Sequence, residues 1–458
     1  MRTQATSTSP IAATSAGGRW VVLGLGATGF SSAGFLHRLG HAVTVMDSRA
    51  RPPMLERLGE LAPAISVTLG KFDRSALEAA DYVLLSPGLS SELPDVQAAK
   101  AAGAGILGDI ELFARYAKAP VIAVTGTNGK STVTELISAM LRNAGKEVRS
   151  GGNLGTPALD LLTDNEPDCY VLELSSFQLE LTDSLAPSVA CLLNITPDHL
   201  DRHHTFEAYL AAKARIFEHA RTAVTNADDE ALSALGYLER RVEFTLGEPG
   251  DRRYGVTEIA GEHYFASPDD ALMPVRECPL IGRHNIANAL AAIAVCEAFG
   301  TERAAVLEAL RGFTGLPHRT EKVAEFQSVV FVDDSKATNP GAAIASVEGL
   351  LADCGGVVIA GGESKGVAFD AFADCVSRYA HDLILIGKAA SEIRAVIAGR
   401  VPCFSADCME SAVRAAAERA KSGEVVLLAP ACASFDMFRD YRHRGTAFRD
   451  AVLQLRQQ

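Results

Sequence analysis

A three-domain α/β protein is what this sequence predicts. Apolar strand-like runs alternate with helical patterns almost throughout, the signature of parallel α/β architecture. At roughly 150 residues per domain, 458 residues make about three domains. Two glycine-rich turns each stand between an apolar run and a helical pattern, where backbone N–H groups can meet a phosphate. The chain is 48% hydrophobic and 22% charged, ample for several cores, which excludes collagen-like and wholly disordered readings. A formal net charge of -13 argues against sequence-independent nucleic-acid binding, which needs basic surface. The nine cysteines include no C-x-x-C pair, so zinc ribbons and secreted disulfide frameworks are not expected, and reduced thiols suit a cytoplasm. Residues 1–18 are rich in Ala, Ser and Thr. With no apolar h-region they read as a frayed tail and not a signal peptide. No uninterrupted apolar run reaches about 18 residues, so no membrane span is expected.

The first domain, 19–108, opens with the apolar strand Trp20–Leu25, the turn Gly24-x-Gly26-x-x-Gly29 and a helix. Strands Ala42–Met46 and Tyr82–Leu85 follow, ending at Asp47 and at Ser86-Pro87-Gly88. The second domain, 109–315, begins with the strand Val121–Thr125, the turn Gly126–Thr132, and a helix carrying Val133, Leu136, Ile137, Met140 and Leu141 on one face, a 3.6-residue period. Strands Tyr170–Leu174 and Ala190–Ile195 come next. Short β-rich pieces over 241–281 predict an antiparallel extension of this sheet, followed by a helix over Asn285–Phe299. The third domain, 316–458, alternates strands Val329–Val332, Val357–Ala360, Leu383–Ile386 and Val425–Leu428 with helices; the helix Glu410–Lys421 has an alanine-rich packing side.

The strongest chemical signal is Gly126-Thr127-Asn128-Gly129-Lys130-Ser131-Thr132. A strand–turn–helix of this kind cradles phosphate, its lysine neutralises the β- and γ-phosphates, and a hydroxyl at Ser131 or Thr132 can bind Mg²⁺. Val124 stands where a full Walker spacing needs glycine, so the loop is a shortened form. The first-domain turn, with Asp47 about 20 residues on, admits a nucleotide diphosphate, NAD(H) or a purely structural bend. A nucleotide diphosphate suits it best, since a phosphate loop elsewhere makes a redox cofactor less needed. Glu173 ends a central strand where a carboxylate can hold Mg²⁺, against a solvated strand-end reading. His199, in Asn194-Ile-Thr-Pro-Asp-His199-Leu-Asp201-Arg202, becomes a candidate metal ligand beside Glu173 and the phosphate turn. Lys213 by itself reads as a helix-surface lysine.

Thr125–Thr132, Leu172-Glu-Leu-Ser-Ser-Phe-Gln178, Asn194–Arg202, Gly282-Arg-His-Asn285, Gly315-Leu-Pro-His-Arg319, Asp334-Ser-Lys336-Ala-Thr338-Asn339 and Pro430-Ala-Cys-Ala-Ser434 together resemble the Mur ligases, from about Trp20 to the C-terminus. The resemblance is strongest to the branch that adds D-glutamate to UDP-N-acetylmuramoyl-L-alanine. It implies a Rossmann-like UDP-binding domain, a central P-loop ATPase-like domain and a C-terminal Rossmann-like, glutamate-binding domain. It also implies an ATP-dependent, ADP-forming amide ligase of peptidoglycan precursor synthesis, cytoplasmic and monomeric, working through an acyl phosphate. By this resemblance Ala27, Thr28, Asp47, Ser48, Arg49 and Gly88 hold the uridine diphosphate, and Asn153 and His199 face the muramoyl part. Lys130, Ser131 and Glu173 serve ATP and a first Mg²⁺. A carbamylated Lys213 joins His199 on a second Mg²⁺. Asn285, Arg319, Asp334 and Lys336 contact ATP and the transferring phosphoryl group, and Thr338, Lys365, Ser434 and Tyr441 bind glutamate.

Three positions depart from the family pattern. Tyr441 stands where Phe is usual, Gly362-Glu363-Ser364-Lys365 replaces Gly-Asp-Gly-Lys, and Ala429 replaces a common Ser. None removes an essential charge; they bear on fine specificity, so a sibling ligase using L-glutamate or another amino acid is the alternative. A dehydrogenase using the first turn for NAD, and a P-loop ATPase that needs no amino acid, are the competing classes.

Overall fold

The computed structural model describes residues 18–233, 235–236, 240–364 and 366–457. Lys365 and tail residues 1–17 lie outside them. Among the described residues three sheets follow one another along the chain.

The first sheet contains β1 (Arg19–Leu23), β2 (Ala42–Asp47), β3 (Ser66–Leu69), β4 (Tyr82–Leu85) and β5 (Gly105–Gly108). All are parallel, in the order β3-β2-β1-β4-β5. The order reverses between β1 and β4, so a crevice opens above their carboxyl ends, where such sheets receive ligands. β1 ends at Leu23, two residues before the expected end, because Gly24 (φ 89°) starts the turn. A Cβ on Gly29 would lie 1.8 Å from the Gly24 carbonyl oxygen, so only glycine lets the helix Ala27–Arg38 close onto the strand end.

The second sheet contains β6 (Val121–Thr125), β7 (Val148–Gly152), β8 (Cys169–Glu173), β9 (Val189–Leu192), β10 (Thr222–Asn226), β11 (Arg241–Phe244), β12 (Arg253–Ile259), β13 (Glu262–Ala266) and β14 (Ala271–Pro274). Their order is β14-β13-β12-β11-β10-β9-β6-β8-β7. The extension expected over 241–281 is antiparallel only from β12 onward. β11 continues the parallel run, pairing with β10 at Ala223–Arg241 through Asn226–Phe244. The helix Lys130–Asn143 buries Val133, Leu136, Ile137, Met140 and Leu141, the face its periodicity marks. Truncating one of these, as in Ile137→Ala, costs about 2–5 kcal/mol. The helix Arg283–Ala298 is buried without a break from Asn288 to Cys296, as a helix apolar on all sides must be.

The third sheet contains β15 (Glu321–Phe326), β16 (Val329–Asp333), β17 (Gly356–Gly361), β18 (Asp382–Ile386), β19 (Cys403–Ser405) and β20 (Val425–Leu428). It runs β15-β16-β20-β17-β18-β19. Every pair is parallel except the edge hairpin β15–β16. Gln327 and Ser328 turn that hairpin with φ of 52° and 59°, the conformation a two-residue hairpin loop requires. The alanine-rich helix spans Met409–Ala417 and buries Met409, Ala412, Val413 and Ala416, shorter at its end than the periodicity suggests. Among the described residues no helix is long and apolar enough to cross a membrane.

Candidate active site

β6 delivers the chain into the phosphate turn, and Gly129 begins the next helix in the left-handed region, φ 82°. A Cβ there would lie 2.5 Å from Asn288 Oδ1 on the buried helix, so the turn packs where only glycine fits. Asn194, just past β9, ties the turn down: its Oδ1 accepts from the Asn128 N–H at 2.9 Å and its Nδ2 donates to the Asn128 carbonyl at 3.0 Å. Lys130 Nζ folds back onto the carbonyls of Gly126 (3.0 Å) and Thr127 (2.8 Å). Burial lowers its pKa, with Glu173 acting in the opposite sense.

Glu173 ends β8 and is 3% exposed. Ser131 Oγ donates to its Oε2 at 2.5 Å, and Asn153 Nδ2 donates to its Oε1 at 2.7 Å. Arg319, 188 residues away, donates to the same Ser131 oxygen at 2.7 Å, and Asn339 Nδ2 reaches Asp198 Oδ2 at 3.5 Å. The third sheet's loops thus close over the phosphate turn. A hydroxyl and a carboxylate in contact are hard oxygen donors of the kind Mg²⁺ takes, and the glycine-rich turn beside them fits a polyphosphate.

Around these groups lies a cleft of about 540 Å³. Of the residues expected at ATP, Thr127–Thr132, Glu173, Asn285, Arg319, Asp334 and Lys336 line it; Gly126 does not. Burial pushes the Asp334 carboxyl up to about 6, while the Ser346 hydroxyl and the Thr320 N–H hold it down. Burial, reinforced by Arg319, brings the Lys336 ammonium down to about 8. The cleft also reaches Asn226, Asp228, Phe244, Leu246 and His284, to which sequence reasoning gave no role. These residues come from strand ends and from a helix start, whose spatial neighbours depend on sheet order. Only the quoted Gly282–Asn285 segment signalled one of them, His284.

A second cleft of about 350 Å³ opens at the first sheet's crevice. Ala27, Thr28, Asp47, Ser48, Arg49, Gly88 and Asn153 line it, with Gln178. Asn153 belongs to both clefts, so they meet beside Glu173. The Asp47 carboxylate is already held by neighbouring donors. Its Oδ2 accepts from the Leu25 N–H (2.7 Å) and Arg49 Nη2 (2.6 Å), and its Oδ1 from Arg49 N (2.8 Å) and Nε (2.9 Å). The Arg49 guanidinium holds Asp47 down at about 2. Asp47 therefore orders the glycine turn and aims Arg49.

His199 lines the larger cleft, not the smaller. It sits in the left-handed region (φ 53°) at the start of the short helix Leu200–His203. Lys213 is not on a helix surface: it is 2% exposed and donates to the Gly126 carbonyl at 2.8 Å. Burial, then the neighbouring Lys130, lowers its pKa well below the ordinary lysine range, favouring the neutral amine that carbamylation requires. His199 and Lys213 both pack on the Tyr209 ring, at 6.5 and 4.8 Å, but only His199 lines the cleft. The residues expected at glutamate are less gathered. Thr338 lines the larger cleft, Ser434 is buried, and the Tyr441 ring lies 4.2 Å from Lys336 Nζ.

Comparison with known proteins matches this chain to three family models: Mur ligase MurD-like, N-terminal domain, over residues 18–108; Mur ligase middle domain, over 124–296; and Mur ligase, glutamate ligase domain, over 318–432. The UDP-N-acetylmuramoylalanine--D-glutamate ligase of Nitrosococcus oceani is 49% identical over 436 residues, covering 95% of this chain and 96% of that protein. The protein of the same name from Pseudomonas putida is 47% identical, covering 94% and 96%. Among solved structures, the UDP-N-acetylmuramate-alanine ligase of Thermotoga maritima aligns with a TM-score of 0.60 at 19% identity, over 96% of this chain and 100% of that one. The MurF ligase of the same organism, in complex with ADP, aligns with a TM-score of 0.59 at 20% identity, over 95% of each chain; at such identities the likeness is one of fold. With family models over most of its length and near-half identity along almost the whole chain, the chain belongs to the Mur ligase family.

Proposed function

We propose that this chain joins D-glutamate to UDP-N-acetylmuramoyl-L-alanine, converting ATP to ADP and phosphate, in peptidoglycan precursor synthesis in the cytoplasm. The observation that carries the reading is the meeting of the two clefts at Asn153, whose carboxamide donates to Glu173. A UDP-sugar held in the smaller cleft can extend its alanyl carboxylate past Asn153 to the phosphate turn. The relatives at 47–49% identity carry the name of this activity. The domain limits 19–108, 109–315 and 316–458 suit it, since each sheet closes within one of them, and a monomer is our reading of the assembly.

The chemistry runs in two steps. The alanyl carboxylate oxygen attacks the γ-phosphorus of ATP and ADP leaves, giving an acyl phosphate. The glutamate amine then attacks the carbonyl carbon, and the tetrahedral intermediate expels phosphate as the nitrogen loses a proton. Lys130 must leave the Gly126 and Thr127 carbonyls to meet the phosphates; there its charge counts for most as negative charge moves off the γ-phosphoryl. Arg319 and Lys336 bring further positive charge from the third domain. Ser131 and Glu173 would hold one Mg²⁺, and His199 with a carbamylated Lys213 a second. Bound there, the ions neutralise phosphate charge. Thr338, Lys365, Ser434 and Tyr441 are our assignment for the amino acid. A water-reactive acyl phosphate needs closure, and the contact of Arg319 with Ser131 supports closure by the third domain.

ADP release with UDP-N-acetylmuramoyl-L-alanine tests this across D-glutamate, L-glutamate, L-lysine and diaminopimelate. D-Glutamate should be ligated fastest. A faster rate with another member of the panel would overturn the D-glutamate assignment and leave the ligase mechanism standing, whereas ADP release independent of any amino acid would remove both.

A further inference from the structure

Beside the larger cleft a chain of buried contacts stands outside the steps above. Ser176 Oγ lies 2.9 Å from His203 Nε2, and His203 Nδ1 lies 3.1 Å from Glu180 Oε1. Ser176 and His203 are hydrogen-bonded, and the Glu180 carboxylate faces the other ring nitrogen at ion-pair distance. Ser176 is 2% exposed and lines neither cleft. The Ser176–His203 hydrogen bond clamps two four-residue helices, Ser176–Leu179 and Leu200–His203, which are too short to persist alone. The second oxygen of Glu180 takes Arg202 Nη2 at 2.8 Å.

Phe177 is what the clamp holds. Its ring lies nearly parallel to His203, at 5.5 Å and 17°, with the Arg202 guanidinium 5.1 Å from its centre. The same ring also meets His199, edge-on at 4.9 Å. The His199 side chain is 44% exposed on left-handed backbone, with Asp198 Oδ2 3.7 Å from its Nε2 and the Phe177 and Tyr209 rings beside it. We propose that His203, through Phe177, is a positioning residue for His199. Without the clamp the Phe177 ring loses its parallel partner, and the His199 imidazole wanders by the fraction of an ångström that positioned groups cannot tolerate.

This inference rests on the ligase reading. Its test is a double-mutant cycle in the full chain, read as ADP release with UDP-N-acetylmuramoyl-L-alanine and D-glutamate. His203→Ala and Phe177→Leu should each lower kcat about tenfold, with the KM for ATP changed less than about twofold. Introduced into His199→Ala, neither should lower kcat further. Thermal unfolding checks that each variant folds; if His203→Ala does not, Phe177→Leu, at a half-buried ring, carries the cycle. Losses that multiply with that of His199→Ala, or that fall only on the KM for ATP, would overturn the positioning role. A wild-type chain without amino-acid-dependent ADP release would instead overturn the ligase reading, and this role with it.

Discussion

Gly129→Ala tests how tightly the phosphate turn is built. The glycine has φ 82°, where an L-residue costs about 1–2 kcal/mol. The new methyl would also stand 2.5 Å from Asn288 Oδ1, well inside ordinary contact. That oxygen cannot simply swing aside, because Asn288 is 8% exposed on the buried helix and its Nδ2 donates to Asn285 Oδ1 at 3.1 Å. Overpacking of this kind costs about 1–3 kcal/mol, so the two terms together come to about 2–5 kcal/mol. The strain falls at the first turn of the phosphate-facing helix, and a displacement near 1 Å there should lower kcat/KM for ATP about a hundredfold. Urea unfolding followed by fluorescence, with steady-state kinetics, measures both. Adding Asn288→Ala should recover the contact part and leave the backbone part, a coupling of about 1–3 kcal/mol. A Gly129→Ala variant within about 0.5 kcal/mol of wild type and with unchanged ATP kinetics would refute both the strain and the contact.

Lys130→Ala should keep the fold and lose at least about 10³-fold in turnover; a folded variant with a tenth of wild-type activity would count against its phosphate role. Lys213→Ala should be inactive and partly restored by a small carboxylate such as formate, while intact-mass spectrometry under CO₂ should show the carbamate on the wild type; a persistently bare, fully active lysine would reject that modification. The pH profile of kcat/KM for ATP should be bell-shaped. It rises as Asp334 ionises near 6 and falls as Lys336 loses its proton near 8, and free-enzyme groups are what this ratio reports. Lys336→Arg should move the alkaline limb upward, and an unmoved limb would assign it to another group. Stability follows the opposite sense at the acid: Asp334 has a raised folded pKa, so its contribution is complete below about 3.9 and is lost as pH rises through about 6.

Much of the fold was legible because its signals are local. Buried parallel strands read as unbroken apolar runs, and the helix Lys130–Asn143 displays its core face at helical spacing. The β15–β16 hairpin was not legible as a whole. Its turn is Gln327-Ser328, without the Asn-Gly or Gly signature that normally supplies positive φ, and only Val329–Val332 stood out. The short strands β3, β7 and β19 were missed because few of their residues are apolar and buried. β11 was grouped with the antiparallel pieces because pairing direction is not written in a strand's composition.

What the sequence determined by itself is contiguous chemistry: a strand, a glycine turn, Lys130 and Ser131 in the eleven residues 121–131, and strand-end groups such as Glu173 and Asp47. Tertiary structure alone decided what those groups meet. It brought Arg319 to Ser131 across 188 residues, gave Asn153 to both clefts, and set the Leu25 N–H on the Asp47 carboxylate. It also turned Lys213 from an ordinary helix lysine into a buried amine. The physical reason is the same in each case. A motif's backbone conformation is set by its own residues, but burial, pairing and pKa depend on which strands are neighbours, and sheet order is settled only when the whole core packs.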